Sequence, residues 1–180
     1  MVEAVRSSAA GRAGWRWWWL VLLVLVYASM ELRGLFPKGS GGRTLIREVH
    51  YMLGLTVFVL VWFRLLARSI GPAPKIFPAS PQWQTVLARL MHWALYLFMI
   101  VMPLLGWLVT SAKGNQVMFY GFDLPLLVSE DKALARQIQD WHEWGGTLGY
   151  WLIGLHALAG LYHHYVVRDN TLLRMMPKRN

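Results

Sequence analysis

The 180-residue chain has no cysteine and few acidic residues, nine against eighteen lysines and arginines. The lack of cysteine excludes disulfides, Cys-ligated iron–sulfur clusters, thiolate-ligated haem and covalent haem attachment through a Cys-x-x-Cys-His motif. Charged residues make up only 15% of the chain, whereas 56% is hydrophobic, too much for an ordinary soluble domain. The composition therefore predicts an integral membrane protein, whose excess of cations sets its topology rather than binding nucleic acid.

Four long apolar stretches follow one another, each close to the roughly 20 residues that a helix needs to cross a bilayer. They are Trp15–Leu32, His50–Ala67, Leu87–Thr110 and Trp141–Val167. We expect a single all-α domain over residues 1–180, a four-transmembrane-helix bundle. Most cations fall on the side of the N-terminus, so the positive-inside rule predicts that both termini are cytoplasmic. The first stretch is rich in tryptophan and lacks a small-residue cleavage site, which indicates a retained helix rather than a signal peptide.

The histidines are the residues most indicative of function. All six lie within or at the edge of a predicted span: His50, His92, His142, His156, His163 and His164. An imidazole in hydrocarbon is costly unless it is paired or ligated, so such residues are functional candidates. Low-spin b haem takes two axial imidazoles, each commonly fixed through its second ring nitrogen. The placement of the histidines therefore predicts that some of them are haem ligands on facing helices.

The spacing of four histidines predicts two ligand pairs. His142 and His156 are fourteen residues apart, nearly on one helix face and about 21 Å apart along the axis, a separation that suits two stacked haems. His50 and His142 each begin a span on the outer side, so we expect them to ligate one haem together. His156 lies deeper, and the candidate partner within reach is His92. The alternative for His92 is a helix-end residue that hydrogen-bonds a propionate, a quinone or a carbonyl.

Other polar residues near the cytoplasmic surface have less specific interpretations. His163 and His164 follow the apolar run, where interfacial solvation or contact with a haem edge is favoured over ligation. His163 can also contact propionates or a quinone head, because it lies on the same face as the ligand candidate seven residues before it. Arg16, Arg64 and Arg68 fit positive-inside anchoring, with contact to a propionate or an anionic lipid as the alternative.

Several motifs together resemble the bacterial cytochrome b561 family, which is related to membrane cytochrome subunits of nickel–iron hydrogenases and formate dehydrogenases. The segments that carry the resemblance are 27–34, His50 with Gly54, 63–66, 92–96, 103–106, 141–143, 149–150, 154–157, 163–165 and 169–177. The resemblance implies a four-helix protein of the bacterial inner membrane that holds two non-covalent b haems and exchanges electrons with the quinone pool. The enterobacterial member is described as a superoxide oxidase that reduces ubiquinone. In this family His50, His142 and His156 match ligand positions.

The chain departs from the family pattern in the first span. Family members usually have a histidine before the tryptophan of that helix, where this chain reads Trp15-Arg16-Trp17-Trp18. Arg16 cannot ligate iron, because a guanidinium stays protonated. Three interpretations stay open: His92 substitutes, the inner site binds haem weakly or through one protein ligand, or the chain binds a single haem.

The leading hypothesis is an electron-transfer protein that exchanges electrons with quinone, acting as a superoxide:quinone oxidoreductase with superoxide as the outer donor. Four cations of the first outer loop favour an anionic donor: Arg33, Lys38, Arg43 and Arg47. The alternative is a membrane cytochrome subunit that anchors a partner dehydrogenase and relays its electrons. A third hypothesis, a helical membrane protein without haem, predicts colourless purified protein.

Overall fold

The computed structural model describes residues 18–70 and 80–171, and these form four long helices and one small hairpin. The helices are α1, Trp18–Leu35, which ends in the 3-10 turn Arg33–Leu35; α2, Gly41–Ile70; α3, Gln82–Ala112; and α4, Lys132–Tyr162, which continues into a π-helical turn at His163–Val167. Strands β1, Val117–Phe119, and β2, Phe122–Leu124, lie between α3 and α4. The start of the first predicted span, Trp15 to Trp17, lies outside the described residues.

Three of the described helices, α1 to α3, are long and apolar enough to cross a membrane. Helix α4 is equally long but is not among them, because charged residues occupy its first turns and glycines dilute its apolar end. The predicted all-α membrane class agrees with these helices. The fourth crossing and the cytoplasmic placement of both termini stay predictions.

Helices α3 and α4 pack antiparallel along their whole length. Four contacts at successive levels define the register: Gly106 with His142, Met102 with Gly145, Phe98 with Gly149 and His92 with His156. We call the end of the bundle that carries β1 and β2 the hairpin end, and the opposite end the terminal end. The α1 helix joins this pair through the Tyr27 hydroxyl, which donates to the Gly146 carbonyl over 2.9 Å.

A small buried core fills the space between α1, α2 and α3. It consists of Trp19, Val57, Val61, Tyr96 and Met99. Many other large apolar side chains are exposed on the outside of the bundle. This inside-out distribution suits a protein whose solvent is lipid, because apolar side chains lose nothing by facing hydrocarbon.

The connection between α3 and α4 contains a β-hairpin that the sequence prediction missed. The strands pair antiparallel with Phe119 opposite Phe122, and the turn residues Tyr120 and Gly121 both have positive φ, 48° and 88°. Positive φ at both central positions is typical of a type I′ turn, whose twist matches paired strands. Three-residue strands carry too little alternation to stand out from a loop in sequence.

Three helices extend beyond their predicted bounds. Helix α2 begins at Gly41 rather than His50, α3 covers Gln82–Ala112 rather than Leu87–Thr110, and α4 begins at Lys132 rather than Trp141 and ends before the predicted Val167. An apolar run in the sequence shows only the part of a helix that faces lipid. Backbone hydrogen bonding extends each helix beyond that part into polar turns. At the start of α4, the Asp131 carboxylate accepts hydrogen bonds from the Ala133 and Leu134 amides at 2.8 and 3.0 Å, which is an N-cap.

We predict that Gly149→Ala destabilises the bundle by roughly 1–3 kcal/mol, the usual cost of overpacking. A Cβ at Gly149 would overlap the Tyr27 hydroxyl and the Phe98 ring, so α1 and α3 would both have to move away from α4. Thermal unfolding followed by circular dichroism in detergent measures the effect. Gly154→Ala is the matched control, because a Cβ there meets nothing within 4 Å; equal stability of the two variants would contradict the packing described here.

Candidate haem-binding site

Two histidines from different helices meet near the hairpin end. The rings of His50 on α2 and His142 on α4 have centroids 6.2 Å apart and are nearly perpendicular. The Nδ1 of His50 lies 3.1 Å from the Val26 carbonyl oxygen and 3.2 Å from the Ser29 hydroxyl. An Nδ1–H that donates to this carbonyl leaves Nε2 as the nitrogen for a metal. We call His50 and His142 the hairpin pair.

The second member of the hairpin pair carries an unsatisfied polar atom. The Nδ1 of His142 is buried, and within the described part of the chain it makes no hydrogen bond of good geometry, although the Met102 backbone lies near the ring. A buried polar atom without a partner costs roughly 1–3 kcal/mol, so such an atom indicates a bound group that satisfies or ligates the ring. Gly106 gives this ring room, because a Cβ there would lie 3.3 Å from the His142 Cε1 atom.

The hairpin pair lies where two cavities meet. One, of about 80 Å³, is mainly apolar and reaches all four helices, and the other, of about 30 Å³, extends towards the β-hairpin. Four residues line both cavities: His50, Gly54, Pro103 and His142. A flat group ligated between the two rings would extend into both spaces. Sequence reasoning missed Tyr27, Phe98 and Met102 as lining residues, because nothing in an apolar run distinguishes a cavity wall from a lipid-facing side chain.

The other two candidate histidines meet towards the terminal end. The ring centroids of His92 on α3 and His156 on α4 are 5.3 Å apart. The Nδ1 of His92 lies 2.5 Å from the Ala88 carbonyl oxygen of the preceding turn, so Nε2 is the nitrogen that this tautomer would present to a metal. We call His92 and His156 the terminal pair. The structure thus brings together both predicted pairs, and their role as ligands stays a prediction.

Each pair offers two ligands, which suits a metal that is already held by a cofactor and needs only two more ligands from the protein. Within residues 18–70 and 80–171, no three His, Cys, Asp or Glu side chains gather as they would around a bare metal ion. Haem needs only two axial ligands from the protein. Two metal–nitrogen bonds of roughly 2 Å plus the ring radii place imidazole centroids roughly 6 Å apart, which matches the hairpin pair, whereas the terminal pair is somewhat closer. The hairpin pair therefore fits haem in donor type and spacing, and the terminal pair has the same donors at a closer spacing.

A third histidine is held by a carboxylate where α4 ends. His163 Nδ1 donates to Asp169 Oδ2 over 2.6 Å, and the Asp169 side chain is fully buried. The Thr171 amide donates to the other carboxylate oxygen over 2.8 Å. The π-helical turn and the left-handed Arg168, at φ 57°, bring the carboxylate back to the ring. The sequence gives no reliable signal for the π-helical turn or for the left-handed conformation of Arg168, so Asp169 was not predicted as a partner of His163.

The ionised form of Asp169 is stabilised in the folded protein. Burial alone would raise the pKa of this carboxyl, but hydrogen bonds from Thr171 and His163 outweigh it and lower the pKa below the usual 3.8. A carboxyl with a lowered folded pKa contributes stability above its unfolded pKa, and the contribution is lost as pH falls through the folded value.

We therefore predict that Asp169→Asn lowers the free energy of unfolding at neutral pH by on the order of 1 kcal/mol. The difference from the parent protein should shrink on acidification below pH 3.8, because the parent then loses the same charge. Thermal unfolding as a function of pH measures both effects. Asp140→Asn, an exposed position on α4, is the control. A stability difference between Asp169→Asn and the parent that does not depend on pH would contradict the stabilising role of the ionised Asp169 carboxylate.

Comparison with known proteins decides the family. The model of the prokaryotic cytochrome b561 family matches residues 15–178. The chain belongs to this family. It is 43% identical over 163 residues to cytochrome b561 homolog 1 of Escherichia coli, covering 91% of this chain and 93% of the relative. It is 35% identical over 166 residues to the probable superoxide oxidase CybB of Yersinia pestis, covering 92% of this chain and 93% of that protein.

Family membership confirms the resemblance inferred from the sequence motifs. A prokaryotic cytochrome b561 with three apolar helices of membrane-spanning length is a haem b protein of electron transport and an integral protein of the bacterial inner membrane. The two histidine pairs of this cytochrome lie at two levels of the bundle, and α4 contributes one member to each.

Proposed function

We propose that this cytochrome passes electrons from a donor outside the membrane to the quinone pool, with haem b held by the hairpin pair and by the terminal pair. The observation that carries the proposal is the meeting of two histidine pairs at levels fourteen residues apart on α4, a distance of about 21 Å along the helix. In this proposal α4 is the fourth crossing, both termini are cytoplasmic, and the hairpin end faces outwards.

Haem b supplies reversible one-electron chemistry at its iron. The two histidine pairs would hold the haem, and backbone carbonyls would fix the tautomers of His50 and His92. The Val26 carbonyl of α1 orients His50 on α2. The Ala88 carbonyl orients His92, which lies one turn later on the same helix, α3. Such hydrogen bonds to the second ring nitrogen raise ligand basicity and hold the ring in place.

At the terminal end, the favoured interpretation is that His92 replaces the first-helix histidine of the family. The chain has no histidine before His50, so α1 cannot supply an imidazole ligand. The contact between His92 and His156 supports this substitution over a site with one protein ligand or a single-haem protein. The closeness of these rings predicts that α3 and α4 separate slightly when haem binds there.

Superoxide is the donor that fits the outer surface and the name of the Yersinia pestis relative. Of the four cations predicted for the first outer loop, Lys38 lies in the loop and Arg47 in the first turns of α2, and both are exposed. Arg43, also on α2, donates to the Phe36 carbonyl over 3.1 Å and so fixes the loop. Exposed cations beside a reactive site raise the encounter rate of an anion. Each superoxide would be oxidised to O₂, and two electrons with two protons would reduce one quinone to quinol.

We predict that Lys38→Gln combined with Arg47→Gln slows superoxide oxidation and flattens its dependence on ionic strength. Removing two exposed charges should lower the rate constant for reaction with superoxide by roughly tenfold or less at low salt. The rates of the variant and the parent should become equal at high salt, where charges are screened. Stopped-flow kinetics at several salt concentrations measure it. Arg89→Gln, exposed near the opposite end, is the control; equal salt slopes in all three proteins would remove these cations from the proposal.

The function itself is tested with the purified protein in detergent, superoxide generated in solution and a soluble ubiquinone. We expect superoxide to reduce the haem under anaerobic mixing and added quinone to reoxidise it, with quinol formed in proportion to superoxide consumed. Reduction by superoxide without reoxidation by quinone would contradict quinone as the acceptor. No reduction by superoxide would contradict the donor.

A further inference from the structure

Arg64 places a positive charge inside the bundle, beside the terminal pair. It lies on α2, where the guanidinium carbon is 5.2 Å from the centre of the Trp19 ring of α1. Its Nε donates to the Tyr96 hydroxyl of α3 over 3.3 Å. Trp19 and Tyr96 are only 7% and 6% exposed. Arg64 is thus fixed by three helices, unlike Arg68 one turn later, which is exposed.

The charge of Arg64 has no carboxylate partner in the part of the chain that the structure describes. The one ion pair found there joins His163 and Asp169, and Asp169 is also the only described acidic residue towards the terminal end. A guanidinium cannot shed its proton. Arg64 is half-buried near the end of its helix, and a guanidinium packed between helices there is stabilised by an anionic partner.

The position of Arg64 identifies the class of anion. Tyr96, which accepts the Arg64 Nε–H, lies one helical turn after His92 on α3, so the guanidinium stands near the level of the terminal pair. Because Tyr96 takes the Nε–H, the edge formed by Nη1 and Nη2 is the part of the fork that a carboxylate can engage. We infer that Arg64 binds a propionate carboxylate of the haem held by His92 and His156. This inference rests on the proposed function.

The test compares Arg64→Gln, Arg64→Lys and the matched control Arg68→Gln, each purified as the full chain with haem. Redox titration measures the midpoint potential of each haem, and resonance Raman spectroscopy reports the propionate bending bands. In Arg64→Gln we expect a lower potential for the terminal haem and a shifted propionate band, or loss of that haem alone. Arg64→Lys should recover part of the change, and Arg68→Gln should match the parent.

Two results would overturn the inference. In the first, Arg64→Gln keeps both haems with unchanged potentials and Raman bands. In the second, the variant loses a tightly bound anionic lipid while its propionate bands are unchanged, which would assign Arg64 to a lipid phosphate. Failure of the proposed function is recognised separately, because the parent protein would then contain only one haem or none.

Discussion

His50→Ala is expected to remove the haem at the hairpin end and to leave the haem at the terminal end in place. Low-spin b haem needs two axial imidazoles, so losing one ligand should reduce the haem content by about half. Electron entry from superoxide should fall with it, because the remaining haem lies about 21 Å deeper along α4. A pyridine haemochrome assay per mole of protein measures the loss.

The matched control for this prediction is His164→Ala. His164 belongs to neither pair and lies in the π-helical turn after α4. Its Nδ1 is also buried without a partner among the described residues, so a haem-edge contact would show as a spectral shift, whereas the haem content should stay unchanged. A His50→Ala protein with the haem content of the parent would show that His50 is not a ligand. A His164→Ala protein that loses haem would show that the assay follows general destabilisation instead.

His92→Ala is expected to remove the other haem and to stop quinone reduction while superoxide still reduces the haem at the hairpin end. This variant separates the three interpretations of the terminal end, because only ligation by His92 predicts the loss of a whole haem. We expect about half of the haem to be lost, with the spectrum of the other haem unchanged.

His92→Met provides the rescue for this prediction. Methionine is an established axial ligand beside histidine and raises the potential of the iron, so this variant should regain haem with a higher midpoint potential at the terminal end. If His92 acts instead by hydrogen-bonding a propionate or a quinone, methionine cannot restore it, and His92→Ala would retain both haems.

The histidine pairs could be predicted from sequence because helix geometry connects spacing to depth. His142 and His156 are fourteen positions apart, which determines their separation along one helix. Because successive spans run in opposite directions, His50 is expected level with His142 and His92 level with His156. His92 and His156 lie at the same level of the bundle. Their rings are in contact, because α3 starts at Gln82, which places His92 well inside the helix.

The features that sequence could not predict depend on irregular backbone or on relations between helices. The return of Asp169 to His163 requires a π-helical turn and a left-handed residue, neither of which has a reliable sequence signal. The fixation of Arg64 depends on the angle at which α1 and α3 meet α2. In sequence, Arg64 and Arg68 look alike as cations near a helix end, and only packing distinguishes them.

Histidines from facing helices are proposed to hold two haems in this chain although its first helix has no histidine. The most direct test is the number of haems per polypeptide in the parent protein, determined together with its electron paramagnetic resonance spectrum. We expect two haems, both low-spin with two nitrogen ligands. One haem, or a second haem with a high-spin signal, would contradict the terminal site, and protein without any haem would contradict the whole account.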